Sequence, residues 1–124
     1  MKRRSAYLDP AMAALIDDLK ERGLLDTTLV VWMGEFGRSP HDNGIAHYPR
    51  AWTALLAGAG LKVGQVVGRT DKTGKTVDDR PVSAADFMAT VFTALGIDPK
   101  KSRETPDGRP ISVVDPGGKP VWKC

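Results

Sequence analysis

Residues 27–58 read TTLVVWMGEFGRSPHDNGIAHYPRAWTALLAG, and the fold turns on how the two apolar runs in this stretch are joined. TTLVVWM (27–33) is short, continuous and rich in β-branched residues. That is the pattern of a strand buried on both faces of a sheet. AWTALLAG (51–58) contains helix-favouring alanine and leucine, but Pro49 and the run Gly58-Ala59-Gly60 leave little room for a helix, so it reads as a second buried strand. Between the two lie Glu35, Arg38 and both histidines of the chain, His41 and His47. Polar residues that directly follow a buried strand sit at its carboxyl end, where open α/β sheets keep their ligands.

Outward from this stretch, the chain alternates between helix and turn signals. Asp9-Pro10 reads as an N-cap followed by the first helical residue, because the carboxylate accepts free amides and proline lacks one. Met12, Leu15, Ile16 and Leu19 then recur at helical spacing, and Gly23 fits the left-handed residue that closes a helix. Ser83 with Asp86 forms a capping-box pattern ahead of Phe87, Val91 and Leu95, and Gly96 ends that second helix. Residues 61–82, dense in glycine and charge, predict a surface excursion with a short strand and a turn at Lys72–Gly74. From Asp98 on, the repeated Pro and Gly predict turns, with ISVV (111–114) as one edge strand. Helix, strand, loop, strand and helix in this order predict one α/β domain over residues 1–124, layered around a parallel sheet.

Composition narrows the partners. The charged fraction is 27%, the hydrophobic fraction 41% and the net charge only +3, as in a soluble globular domain. Aromatics are 6% and no basic stripe is interleaved with them, so no nucleic-acid partner is expected. No stretch approaches the roughly 20 apolar residues of a membrane span, so no membrane partner is expected either. MKRR is not followed by the apolar run of a signal peptide. The single cysteine, Cys124, can form no internal disulfide and leaves the compartment open.

Three quoted runs carry a resemblance. LDPAMAALIDDLKERGLLDTTLVVWMGEFGRSP, HYPRAWTALLAGAGLKVGQVVGRTD and RPVSAADFMATVFTALGIDP together resemble the carboxy-terminal part of a bacterial sulfatase-like family of unassigned function, within the alkaline phosphatase superfamily. The likeness spans roughly residues 5–115, and Gly34-Glu35-Phe36-Gly37-Arg38 is its most specific element. It implies a fragment of an α/β/α sandwich with a mainly parallel sheet and metal ligands on the loops after its strands. Glu35 resembles the aspartate of an Asp-His metal-binding pair, Phe36 stands where that histidine would be, and His47 resembles a later histidine ligand. The resemblance thus makes Glu35 and His47 metal-site residues. A zinc-like or calcium-like divalent ion would serve the parent enzyme, held weakly or not at all by this chain alone. Arg38 is the substrate-binding candidate, since a planar guanidinium suits sulfate or phosphate oxygens.

Two departures from the family pattern matter. Ala46 precedes His47 where the family carries an aspartate. The nucleophile and several acidic ligands belong to the family's amino-terminal half, so the chain reads as the carboxy-terminal part of a longer ester hydrolase, inactive on its own. The competing reading is a non-catalytic binding or scaffold module that has lost the metal.

The other polar residues have plainer readings. Ser39 has no base placed by any motif, His41 and Asn43 are expected in solvent, and the lysines of 62–75 form a solvated face. Trp32, Met33 and Trp52 are expected in the core. Two strands cannot cover their own edges, so association as a homodimer is expected.

Overall fold

The computed structural model describes residues 2–42 and 44–121, with the side chains of residues 2–4 left aside. The expectations placed on Asn43 and Cys124 therefore lie outside the described residues.

Helix α1 (Lys2–Glu21) is followed by a short 3-10 turn (Leu25–Thr27) and strand β1 (Leu29–Met33). Two-residue strands β2 (Gly37–Arg38) and β3 (His47–Tyr48) come next, then β4 (Ala54–Gly58). β5 (Arg69–Thr70) and β6 (Val77–Asp79) precede helix α2 (Ala84–Ala94), and the tail holds β7 (Ser102–Glu104) and β8 (Pro110–Ser112). The strands pair as β1 with β4, β2 with β3, β5 with β6 and β7 with β8, and all four pairs are antiparallel.

This overturns the expected mainly parallel sheet, and with it the alkaline-phosphatase-like α/β/α sandwich. The two apolar runs do form strands, but β4 runs back along β1, with Leu29 opposite Gly58, Val31 opposite Leu56 and Met33 opposite Ala54. The cause lies in the connection. A parallel neighbour needs a crossover, usually a helix packed on the sheet. Residues 34–53 contain glycines and prolines and, among the described residues, no helix, and they fold back through their own small hairpin, β2–β3. The apolar continuity of β1 also misleads about burial. Val31, Trp32 and Met33 are 40%, 42% and 45% exposed, because a two-stranded sheet offers too little cover.

α1 starts earlier than the Asp9-Pro10 signal implied and carries Pro10 inside it. Proline removes one amide from the helix ladder, which costs least on the solvent side, and Pro10 is exposed. Leu8, Asp9 and Met12 of α1 line a shallow cleft with Trp32 of β1 and Leu55 of β4, so the helix lies on that face of the sheet. Gly23 takes φ +68° beyond the end of α1, as expected of its closing glycine.

The best-packed part surrounds α2. Ser83 Oγ accepts from the Asp86 amide at 3.0 Å, and the Asp86 carboxylate accepts in return from the Ser83 amide at 3.0 Å. Phe87, Ala89 and Thr90 are buried on this helix, as is Val114 of the tail. Two further bonds tie the tail down: the Lys119 amide donates to Asp86 at 2.8 Å, and the Val121 amide to Thr90 Oγ1 at 2.9 Å. Of the edge strand expected at 111–114, Ile111 and Ser112 lie in β8, one arm of the β7–β8 hairpin, while 113–114 form a bend. The 61–82 excursion is likewise a hairpin, β5–β6, where one short strand was expected.

Candidate functional site

The polar stretch after β1 folds as a hairpin whose two-residue ladder sets Gly37 opposite Tyr48 and Arg38 opposite His47. The Ser39 amide extends the ladder by donating to the Ala46 carbonyl at 3.0 Å. Asp42 shapes the turn: its carboxylate accepts from the Ile45 amide at 3.1 Å and the Ala46 amide at 2.9 Å. Desolvation alone would raise the Asp42 carboxyl, but the Ala46 amide, the Ser39 hydroxyl and the Ile45 amide together hold it below its usual range.

Gly37 is buried, and a Cβ placed on it would overlap the Ala51 carbonyl oxygen. The middle glycine of Gly34-Glu35-Phe36-Gly37-Arg38 is therefore a packing requirement. It lets the hairpin close against the start of the β4 segment.

A second hairpin braces the first. Tyr48 Oη donates to the Lys75 carbonyl at 2.8 Å, and a Cβ on Gly74 would lie 3.2 Å from Pro40 Cβ. The β5–β6 turn is organised by Asp71, whose carboxylate accepts from the Thr73 amide and hydroxyl at 2.9 Å each, the Lys75 amide at 2.9 Å and the Thr76 hydroxyl at 3.1 Å. These bonds, that from the Lys75 amide foremost, pull the Asp71 carboxyl down to about 2. Asp71 thus fixes Lys75, and Lys75 fixes Tyr48.

Three side chains meet on this support. The Phe36 and His47 rings stack with centroids 3.8 Å apart and planes at 30°. The Arg38 guanidinium carbon lies 5.2 Å from the Phe36 ring centroid, within cation–π range. One Arg38 nitrogen donates to the Ile45 carbonyl at 3.1 Å, and among the described residues the rest of its donor fork makes no hydrogen bond. Arg38 and His47 are both exposed, and among the described residues no carboxylate pairs with either. The arrangement suits an anion, which the open guanidinium donors can bind through two oxygens at once.

Glu35 is not drawn into this group. It sits exposed in the bend before Phe36 and makes no hydrogen bond or ion pair with His47 or Arg38 among the described residues. His41 is exposed, and its amide donates to Ser39 Oγ at 3.2 Å. A catalytic zinc takes about three protein ligands and a structural zinc four. No group of three His, Cys, Asp or Glu side chains able to hold an ion gathers among the described residues. Glu35 and His47 by themselves do not fit the expected divalent ion.

Sequence reading missed Phe36, Asp42 and Asp71. Phe36 stood in place of an expected histidine and was given no role of its own. The two aspartates lay in D-N-G and D-K-T-G turn signals, where a short acid that hydrogen-bonds its own backbone is common.

No helix among the described residues is long and apolar enough to cross a membrane. No curated protein and no solved structure matches the chain. A family model described as "Protein of unknown function (DUF1501)" matches residues 1–124, the whole chain. The chain therefore belongs to the DUF1501 family.

Proposed function

We propose that this chain is the carboxy-terminal, anion-recognising part of a sulfatase-like or phosphatase-like ester hydrolase whose nucleophile lies on residues outside it. The observation that carries the reading is the meeting of Arg38, Phe36 and His47 on one braced hairpin. The resemblance of Gly34-Glu35-Phe36-Gly37-Arg38 to the sulfatase-like loop supports it.

In this reading Arg38 grips two non-bridging oxygens of the sulfate or phosphate group. His47 donates a hydrogen bond to the same group from its imidazole, which no described residue hydrogen-bonds. Phe36 holds both in place, stacking on the imidazole and lying beneath the guanidinium. Fixing and partly neutralising the ester anion lowers the barrier to attack at sulfur or phosphorus, because the donors are already oriented when charge shifts to the oxygens. Should the complete enzyme use a divalent ion, Glu35 and His47 are the donors this chain offers, beside ligands from elsewhere.

The test is turnover of chromogenic aryl sulfates and phosphates by the longest polypeptide encoded in frame with this chain. Arg38→Gln is expected to raise KM at least tenfold. A longer polypeptide that turns over either ester equally well with Arg38→Gln contradicts the assignment.

A second reading rests on Ala46 and on the lack of a three-ligand group among the described residues: a binding module without catalysis. It is distinguished by anion binding that persists in the longer polypeptide with no turnover of either ester.

A further inference from the structure

Arg38 and His47 stand opposite each other in the β2–β3 ladder, and residues directly opposite in a ladder share one face. Phe36, two residues before Arg38, completes that face by stacking on His47. Side chains alternate along a strand, so Tyr48 leaves from the other face, beside its ladder partner Gly37. From there its hydroxyl donates to the Lys75 carbonyl at 2.8 Å, across 27 residues of sequence.

Gly74 and Lys75 touch both arms of the hairpin. Lys75 holds the His47 arm through Tyr48, and Gly74 lies against Pro40, which follows Arg38 by two residues on the other arm. These two residues are themselves held in a closed loop. The Asp71 amide donates to the Thr76 carbonyl at 2.9 Å, and the Gly74 amide to the Asp71 carbonyl at 3.1 Å. The Asp71 carboxylate accepts from both the Thr73 and the Lys75 amides. Gly74 takes φ +71°, where a side chain would strain the turn and press on Pro40. The spacing of the two arms is therefore set from outside a ladder only two residues long.

An anion shared by a guanidinium and an imidazole needs both at hydrogen-bonding distance at once. Arg38 on one arm and His47 on the other meet that need only while the arms keep their separation. We propose that Tyr48 and Asp71 are positioning residues for the oxyanion site: the Asp71 turn, acting through the Lys75 carbonyl and the Tyr48 hydroxyl, sets the separation at which Arg38 and His47 bind one oxyanion. The proposal rests on the oxyanion reading of the β2–β3 hairpin and adds β5–β6 to it, as the element that tunes its affinity. Neither residue reaches the anion itself: Tyr48 works from the opposite face, and Asp71 works through the backbone of Lys75. Coupling between two places is reciprocal, so an anion on the first hairpin steadies the second.

The experiment is an NMR titration of the full chain with inorganic sulfate at neutral pH and fixed ionic strength, repeated with Tyr48→Phe, Asp71→Asn and both together. Tyr48→Phe removes only the hydroxyl and is expected to weaken sulfate binding about fivefold, as is Asp71→Asn. The two act in series, so the double variant is expected to lose no more than either alone. In the unsubstituted chain, sulfate is expected to shift the Lys75 and Thr76 backbone signals with the same saturation as the His47 ring. In Tyr48→Phe those two shifts should vanish while the His47 ring still saturates, a response that a merely structural tyrosine would not give. Affinity unchanged by Tyr48→Phe but lost with Arg38→Gln overturns the positioning role and leaves the oxyanion reading standing. Losses that add in the double variant also overturn it. The absence of saturable binding by the unsubstituted chain overturns both. Should Tyr48→Phe fail to fold, the Lys75 and Thr76 response of the unsubstituted chain decides, and silence there overturns the proposal.

Discussion

The imidazole of His47 lies against the phenyl ring of Phe36, with centroids 3.8 Å apart, and so faces Arg38 across the ladder from a fixed position. A two-residue ladder is too short to hold its side chains still by backbone hydrogen bonds alone. The aromatic contact supplies what the strands lack. Such pairs contribute about 0.5–1.5 kcal/mol beyond the area they bury. Phe36→Leu keeps an apolar side chain but loses the stack, and is expected to lower the unfolding free energy by about 1 kcal/mol in urea titrations. No change in the midpoint would mean that the stack does not stabilise the hairpin.

Gly37 should accept no larger residue. Gly37→Ala drives a Cβ into the Ala51 carbonyl, a clash with backbone that a rotamer change cannot relieve. Overpacking of this kind costs about 1–3 kcal/mol. The thermal midpoint of the variant should fall by several degrees, and Tyr48 should become more exposed by fluorescence quenching. An unchanged midpoint would contradict the close approach.

The Asp71 carboxyl, lowered from 3.8 to about 2, makes the β5–β6 turn sensitive to strong acid. Because the folded value is depressed, its contribution to stability is complete above the unfolded value and is lost as pH falls through about 2. The Asp71 carboxyl carbon is therefore expected to titrate near pH 2 by NMR, and the Tyr48 ring signals should shift in the same window through the Lys75 carbonyl. Titration near pH 4 would show that the bonds to Asp71 are absent in solution.

Asp86 joins the cap of α2 to the tail through the Ser83 and Lys119 amides. These bonds, that from Lys119 foremost, hold its carboxyl below the usual range. Asp86→Ala removes both at once and is expected to cost about 1–2 kcal/mol. Backbone exchange at Lys119 and Val121 should quicken with it. A loss of helical signal with unchanged exchange in the tail would separate the two roles and contradict the link.

Much of the local structure was legible in the sequence, and the pairing was not. The Ser83–Asp86 cap, the closing Gly23 and the two apolar strands follow from signals within a few residues, where one physical cause dominates. The direction of β4 relative to β1 depends on the path of residues 34–53, and no residue in that stretch encodes it alone. Continuous apolar character also reads the same whether a strand is covered on both faces or left bare. That is why Val31, Trp32 and Met33 were expected inside. At the site, Arg38 and His47 were legible as chemistry, while their meeting depended on the register Arg38↔His47 and on Phe36.

The isolated chain is expected to hydrolyse neither aryl sulfates nor aryl phosphates. Ser39 Oγ accepts from the His41 amide, and its hydroxyl donates to Asp42. The Asp42 carboxyl is held below its usual range and is therefore a weak base, and among the described residues no imidazole bonds to Ser39 Oγ. Turnover by purified chain that disappears with Ser39→Ala would contradict this.

The claim that the β2–β3 hairpin recognises an oxyanion is tested most directly by NMR titration of the full chain with inorganic sulfate and inorganic phosphate at fixed ionic strength. Saturable shifts are expected at the Arg38 guanidinium N–H groups, the His47 ring and the Phe36 ring, with no comparable shift at Arg69, Arg103 or Arg109. Arg38→Gln should abolish saturation while leaving the Tyr48 signals in place. Shifts spread evenly over the basic surface, or saturation unchanged by Arg38→Gln, would contradict the account.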